Sequence, residues 1–140
     1  MYTLTPEQKE FLLQGTHTGK LATVRKDGRP HLVPIWFVLD GDTLIFNTGE
    51  STVKAANMRR DPRVTICVDD ENPPFSFIVV EGIATLEADS KDLKLWATRI
   101  GGRYMGSDKA EQFGERNSTA GELVVRITPT KVIFAKDLAD

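Results

Sequence analysis

Apolar positions in the first fifteen residues bunch as Phe11, Leu12 and Leu13 at the end of "LTPEQKEFLLQG". Thr5 suits an N-cap and Pro6 the first helical position, so this stretch predicts a helix that Gly15 can end. Strand-like runs then dominate. "GKLATVRKDGRPHLVPIWFVLDGDTLIFNTG" predicts strands at about 19–26, 30–39 and 43–48, divided by Asp27-Gly28 and Asp40-Gly41-Asp42. Asp-Gly is a hairpin signal, and connections this tight make neighbouring strands antiparallel. A short helix at about 51–60 follows. It stops before Pro62, because the residue preceding a proline avoids helical geometry.

"RVTICVD" and "FSFIVVEGIATLE" are two further β runs rich in branched and aromatic residues, joined by the loop "DENPP". In "DSKDLKLWATRIGGRYMG", Leu93, Trp96, Ile100 and Tyr104 share one helical face. Ser90 is the expected cap, and Gly101-Gly102 should weaken the second half of that helix. "SDKAEQFGERN" predicts a short helix, and "ELVVRITPTKVIFAKD" a strand pair bent at Pro129. Short strands, tight turns and few helices make the chain mainly β, a small antiparallel barrel with small helices. It shows no repeat, low-complexity tract or linker, and its 140 residues suit one domain.

Composition narrows the function classes. Hydrophobic content of 40% and charged content of 27% are those of an ordinary globular protein. The net charge of −2 lacks the basic excess of a nucleic-acid binder. No apolar run approaches the roughly 20 residues of a membrane span, and "MYTLTPEQKE" has no signal core, so a cytoplasmic location is the expectation. Cys67, between Ile66 and Val68, is expected to be a buried structural thiol, and His17 a surface residue. The histidines, His17 and His31, form no zinc-like spacing with Cys67, so no metal site is expected. No Gly-x-Ser-x-Gly elbow, phosphate loop or nucleophile beside a base is present, and no catalytic residue can be assigned. If the chain is an enzyme, a bound cofactor carries the reactive electrons.

Two features stand out from the β pattern. Lys54 falls in the first turn of the helix expected at 51–60, where the macrodipole opposes a cation. One reading has Lys54 pointing into solvent. The other has an anion at the helix start, cradled by Ser51, Thr52 and free backbone N–H groups and neutralised by Lys54. Asn57 lies one turn later. Arg59, Arg60 and Arg63 need no ligand, because they sit at or beyond the favourable C-terminus. The second feature is Pro34 in "HLVPIWFV", since proline cannot donate to a sheet ladder. It marks either an edge strand or an opening where a flat ring lies against Val33 to Trp36. Trp36 and Phe37 supply aromatic surface on opposite faces, one for the core and one for a cleft or partner.

The order of "LATVRKDGRPHLVPIWFVLDGDTLIFNTG", "TVKAANMRRDPRV", "PPFSFIVVEGIATL", "WATRIGGRYMG" and "ELVVRITPTKV" resembles the pyridoxamine 5′-phosphate oxidase-like split β-barrel proteins. The resemblance covers nearly the whole chain and is nearest to the branch that uses coenzyme F420, a deazaflavin. It implies a split β-barrel of the FMN-binding-protein type, an antiparallel Greek-key barrel. It also implies a homodimer with cofactor sites at the interface, and an F420-dependent oxidoreductase that passes a hydride to a small organic acceptor. The implied phosphate contacts are Thr48, Ser51, Thr52, Lys54 and Asn57, with Asn47 a further cofactor contact. The implied ring contacts are Val33, Pro34, Ile35 and Trp36, with the partner contributing from "ENPPFSF", Phe75 included, and from the later helix. Lys54 is followed by Ala55 and Ala56 rather than by further basic residues, and the chain ends "FAKDLAD" without an arginine- and histidine-containing segment. Both depart from the FMN-using oxidases, so pyridoxamine phosphate oxidation is not expected. FMN is the alternative cofactor, and a non-catalytic F420- or flavin-binding protein the alternative role. Tyr104 is a weak candidate for a proton donor.

Overall fold

The computed structural model describes residues 2–140. The strands are β1 (Gly19–Val24), β2 (Pro30–Ile35), β3 (Val38–Asp40), β4 (Thr43–Gly49), β5 (Arg63–Asp70), β6 (Ser76–Glu87) and β7 (Glu122–Ala135). The helices are α1 (Pro6–Leu13), α2 (Val53–Arg60), α3 (Leu93–Met105) and α4 (Ala110–Arg116). The strands form one antiparallel seven-stranded sheet in the order β2-β1-β5-β6-β7-β4-β3. This is the mainly β architecture with small helices that the pattern predicts. No helix among the described residues is long and apolar enough to cross a membrane.

Alternation decides what the sheet encloses. Leu21, Ile66, Val68, Ile78 and Val80 point inward with Leu44, Phe46, Val125 and Ile127 to make the core. The same period of two puts Cys67 on the outer face, because Ile66 and Val68 take the inner one. The thiol is therefore half-buried rather than buried, and desolvation pushes its pKa up. Thr5 and Gln8 close α1 with a reciprocal capping box, in which each side-chain oxygen accepts the other residue's N–H.

The structure departs from the pattern at four elements. The expected strand at 30–39 is broken at Trp36-Phe37. β2 and β3 are opposite edges of the sheet, and this dipeptide carries the chain from one edge to the other, so it has no ladder partner. Its backbone is satisfied instead by α3: the Phe37 N–H donates to Tyr104 Oη at 3.2 Å, and Arg103 Nη1 donates to the Phe37 carbonyl at 2.6 Å. Second, α2 starts later than expected, with Thr52 as N-cap, because β4 holds the chain extended as far as Gly49.

Third, the C-terminal β run is one strand rather than a pair. The bend at Pro129 is a bulge: Glu81 pairs with Lys131 and Gly82 with Pro129, leaving Thr130 over. A Cβ on Gly82 would lie 2.7 Å from the Thr128 carbonyl oxygen, so only glycine permits this approach. Fourth, Asp92 rather than Ser90 is the α3 N-cap, while the Ser90 hydroxyl accepts the Asp92 N–H in the preceding turn. Gly101 and Gly102 do not interrupt α3. A Cβ on Gly101 would meet Phe113 Cβ at 2.6 Å, so glycine there lets α4 pack close.

His17 is not a surface residue. It is half-buried, with its Nδ1 inaccessible and without a hydrogen-bond partner, because Tyr104 Oη and Arg103 draw its carbonyl inward. Arg103 also donates to the carbonyls of Leu12 and Gly15, the last turn of α1 and the residues after it. A cation at that helix end complements the dipole. Replacing Arg103 by alanine strands the part-buried carbonyls of Leu12 and Phe37 and is expected to destabilise the protein by about 2–4 kcal/mol. Lysine should recover only a part, since one ammonium cannot reproduce the guanidinium fork. Urea titration of both variants checks this, and a loss below about 0.5 kcal/mol for Arg103→Ala, the scale of an ordinary surface substitution, would contradict it.

Candidate functional site

At the seam where β2 ends, the edge of the sheet, the β4–α2 turn, α3 and the start of β7 enclose a cleft of about 360 Å³. Pro34, Ile35, Trp36, Asn47, Thr48 and Lys54 line it. The fold thus brings both unusual features of the sequence, Pro34 and Lys54, to one place. Val33 does not line the cleft, which β2 meets only at its last two residues, Pro34 and Ile35. Ser51 is exposed and does not line the cleft.

Thr52 and Asn57 are committed to holding α2. The Thr52 hydroxyl donates to the Gly49 carbonyl at 2.9 Å, accepts the Ala55 N–H and lies 3.2 Å from Thr48 Oγ1. Asn57 is buried and turned onto β1: its Nδ2 donates to Thr23 Oγ1 at 3.0 Å, and its Oδ1 accepts from Arg60. Phe75 lies in the β5–β6 loop and not in the cleft. It sits at φ 64°, with its N–H on the Asn72 carbonyl and its carbonyl accepting the Leu138 N–H.

Among the described residues Lys54 is the one cation lining the cleft. Among the described residues it makes no hydrogen bond and no ion pair within 4.0 Å. Burial lowers its pKa below the ordinary 10.5, and the charge of Glu122 pulls it partly back. The backbone N–H groups of Val53 and Lys54, at the start of α2, also find no acceptor among the described residues. A half-buried ammonium in the cleft and free N–H groups at the start of its own helix form a donor set for an anion. Trp36 and Ile100 line the same cleft, and Trp36 is stacked on Tyr104 with centroids 5.0 Å apart and planes 5° from parallel.

Tyr104 does not suit proton donation. Its hydroxyl already donates to the His17 carbonyl at 2.9 Å and accepts the Phe37 N–H. Burial pushes the phenol pKa up, against the Phe37 hydrogen bond and the Arg103 charge.

Asn117 and Glu122 also line the cleft and carry no local sequence signal. Asn47 Nδ2 donates to the Asn117 carbonyl at 3.0 Å and to Glu122 Oε2 at 3.1 Å. These contacts depend on the β4–β7 pairing, which joins segments more than seventy residues apart in the chain. A larger hollow of about 440 Å³ lies on the outer face of β1, β5 and β6. It has no free cation to offer an anion: Arg63, which lines it, is paired with Asp61 and holds that carboxyl down at about 2 through their hydrogen bond.

Comparison with known proteins agrees with this architecture. Residues 4–136 match the family model described as pyridoxamine 5′-phosphate oxidase. The chain is 34% identical over 94 residues to General stress protein 26 of Bacillus subtilis (strain 168), covering 64% of this chain and 66%, just under two thirds, of that relative. Among solved structures, a conserved hypothetical protein of Mycobacterium tuberculosis superposes with a TM-score of 0.84 at 25% identity, over 100% of this chain and 90% of that one. An F420 reductase superposes with a TM-score of 0.72 at 28% identity, over 92% of this chain and 98% of that one. With nearly its whole length inside the family model and the same fold in its structural relatives, the chain belongs to the pyridoxamine 5′-phosphate oxidase family.

Proposed function

We propose that this protein is an oxidoreductase that uses coenzyme F420 to pass a hydride to a small, electron-poor organic acceptor. The observation that carries this reading is Lys54, a half-buried cation with no partner among the described residues, sharing one cleft with the stacked Trp36. The likeness to an F420 reductase over nearly that protein's full length supports the deazaflavin over FMN. Bound F420 would supply the hydride; the rest is positioning by the chain. Lys54 and the N–H groups that open α2 hold a phosphate. Pro34 keeps the edge of β2 free of a ladder donor, so a ring can lie against the backbone there. Trp36 and Ile100 exclude water from the cleft, which orients the reactants and strengthens electrostatics inside. With Tyr104 committed to the seam, solvent supplies the proton.

The acting unit is a homodimer in this reading. Register places Pro34, Lys20, Cys67, Val79 and Ile133 in one row on the outer face, with Leu32, Ala22, Thr65, Glu81 and Lys131 in the next. Leu32 is 64% exposed and Ile133 44% exposed, apolar positions on a mixed face where Lys20 is held by Asp69, and a partner would cover them. Pro34 belongs to both this face and the cleft, so a second copy seated there reaches the site and can bring Phe75 to it. A single unpaired cysteine suits a reducing compartment, and we place the protein in the cytoplasm.

The cofactor is tested by titrating apo-protein with F420 and with FMN and following fluorescence. Tighter binding of F420 is expected, and FMN retained at one per chain through purification would sink the deazaflavin reading. Replacing Lys54 by alanine should weaken cofactor binding by about 1–3 kcal/mol, the range of a charge-assisted hydrogen bond. Arg59→Ala is the control, because Arg59 is spent on the Glu50 carbonyl; equal losses would mean a diffuse field instead of a cradle.

The Lys54 pKa also sets a pH dependence. An anion favours the ammonium, so affinity should be full at low pH and fall as pH rises through the lowered pKa, before 10.5 is reached. Apo-protein stability should move oppositely. Between the folded pKa and 10.5 the unfolded chain binds more protons at Lys54, so stability rises with pH in that window, and the rise should vanish in Lys54→Ala. Parallel binding and melting series of the two proteins read both signs. Sedimentation at micromolar concentration checks the dimer, and a monomer there would remove the shared site.

A further inference from the structure

The cleft that Lys54 enters also holds a carboxylate. Glu122 lies on its wall, and among the described residues no other lining residue besides Lys54 is charged. The two side chains do not touch within 4.0 Å, but they act on each other: the Glu122 charge raises the Lys54 pKa. Glu122 is not free to swing away. Its backbone pairs with Gly49 across β4 and β7, and its N–H donates to the Thr119 carbonyl. Its Oε2 is held by Asn47 Nδ2 at 3.1 Å. Its Oε1 lies 3.7 Å from where a Cβ on Gly49 would stand, at the turn that leads into α2. The carboxylate is therefore fixed beside the proposed phosphate cradle. Other charges nearby do not tip the balance toward cations. Glu50 sits against Gly121, and the Arg59 guanidinium is drawn onto the Glu50 carbonyl.

We infer that Glu122 is a specificity-determining residue: with Lys54 it makes a charge-neutral cradle that accepts a singly charged phosphodiester and rejects the dianion of a phosphomonoester. This rests on the assignment of the cleft as the cofactor site. A phosphomonoester such as that of FMN carries about −1.5 to −2 charge at pH 7, whereas a diester such as that of F420 carries one. Each extra negative charge gains from Lys54 and loses to Glu122, so the second charge brings little net attraction and still costs desolvation. A cradle built for a monoester would place further cations there; this one places an acid. Hydrogen bonding to Asn47 alone would be a structural role, and it makes no distinction between ligands of different charge.

The test compares FMN with riboflavin, which differ only in the phosphate, and FMN with F420, by fluorescence titration of the wild type, Glu122→Gln and Lys54→Ala. Glutamine is isosteric and can still accept from Asn47. In the wild type, FMN should bind no more than about twofold tighter than riboflavin, a weak return for a phosphate beside an ammonium. In Glu122→Gln, FMN affinity should rise by about 3- to 10-fold, F420 affinity by less, and riboflavin affinity not at all. A wild type that already binds FMN far tighter than riboflavin overturns the inference without any variant. So does a Glu122→Gln change that is equal for all three ligands. The two levels separate cleanly. If Lys54→Ala leaves F420 and FMN affinity at wild-type values, the cleft is not the cofactor site and both readings fail. If Lys54→Ala weakens binding while Glu122→Gln leaves the FMN-to-F420 ratio unchanged, only the role of Glu122 is lost.

Discussion

The seam at Trp36-Phe37 is the constraint on which the rest of this structure depends. A sheet that nearly closes on itself must carry the chain from β2 at one edge to β3 at the other, and the dipeptide that does so cannot join a ladder. Phe37 is fully buried, so its backbone groups need partners or cost free energy. α3 supplies them through Tyr104 Oη and Arg103 Nη1. The same two side chains reach the carbonyls of Leu12, Gly15 and His17, and so tie α1 and the strand that follows it to the seam. The seam is closed by side chains rather than by a ladder, and that leaves room for a cleft beside it.

The cleft inherits its character from this arrangement. Trp36 lies against Tyr104 instead of projecting from a strand, so the aromatic surface of the cleft is already ordered. Lys54 reaches the same space from α2, a helix held in place by Thr52 at its cap and by the buried Asn57 on Thr23. Neither Thr52 nor Asn57 lines the cleft, yet both fix where Lys54 stands. An unpaired, partly desolvated ammonium costs stability in the free protein, and such a cost is commonly retained where a ligand offsets it. The carboxylate of Glu122 limits that cost and limits the charge the cleft can take.

Much of the fold was legible in the sequence. The hairpin turns at Asp27-Gly28 and Asp40-Gly41-Asp42, the Thr5 cap, the Pro62 stop and the alternation of β1 and β5 are local, and the elements they predict are present. Three of the errors share one origin. The break of 30–39, the half-burial of His17 and the straight passage of α3 through Gly101-Gly102 all depend on contacts with a distant segment. Cys67 is different: its placement was readable from Ile66 and Val68, and the period-two rule, applied strictly, puts it on the outer face.

Lys54 and Pro34 could be singled out from sequence because each violates a local rule, the dipole at a helix start and the donor requirement of a strand. That they meet in one cleft was implied by family resemblance and is a matter of topology. Glu122, Asn117 and Ile100 break no local rule, and nothing in their neighbourhood marks them. They enter the site only because β7 pairs with β4 and α3 packs against the seam. The sequence by itself therefore determined the elements, their turns and the two residues at odds with their surroundings, since those follow from backbone chemistry within a few positions. Tertiary structure alone decided which strand is split, which polar groups close it and which carboxylate faces the lysine, since these depend on pairing between segments that share no local code.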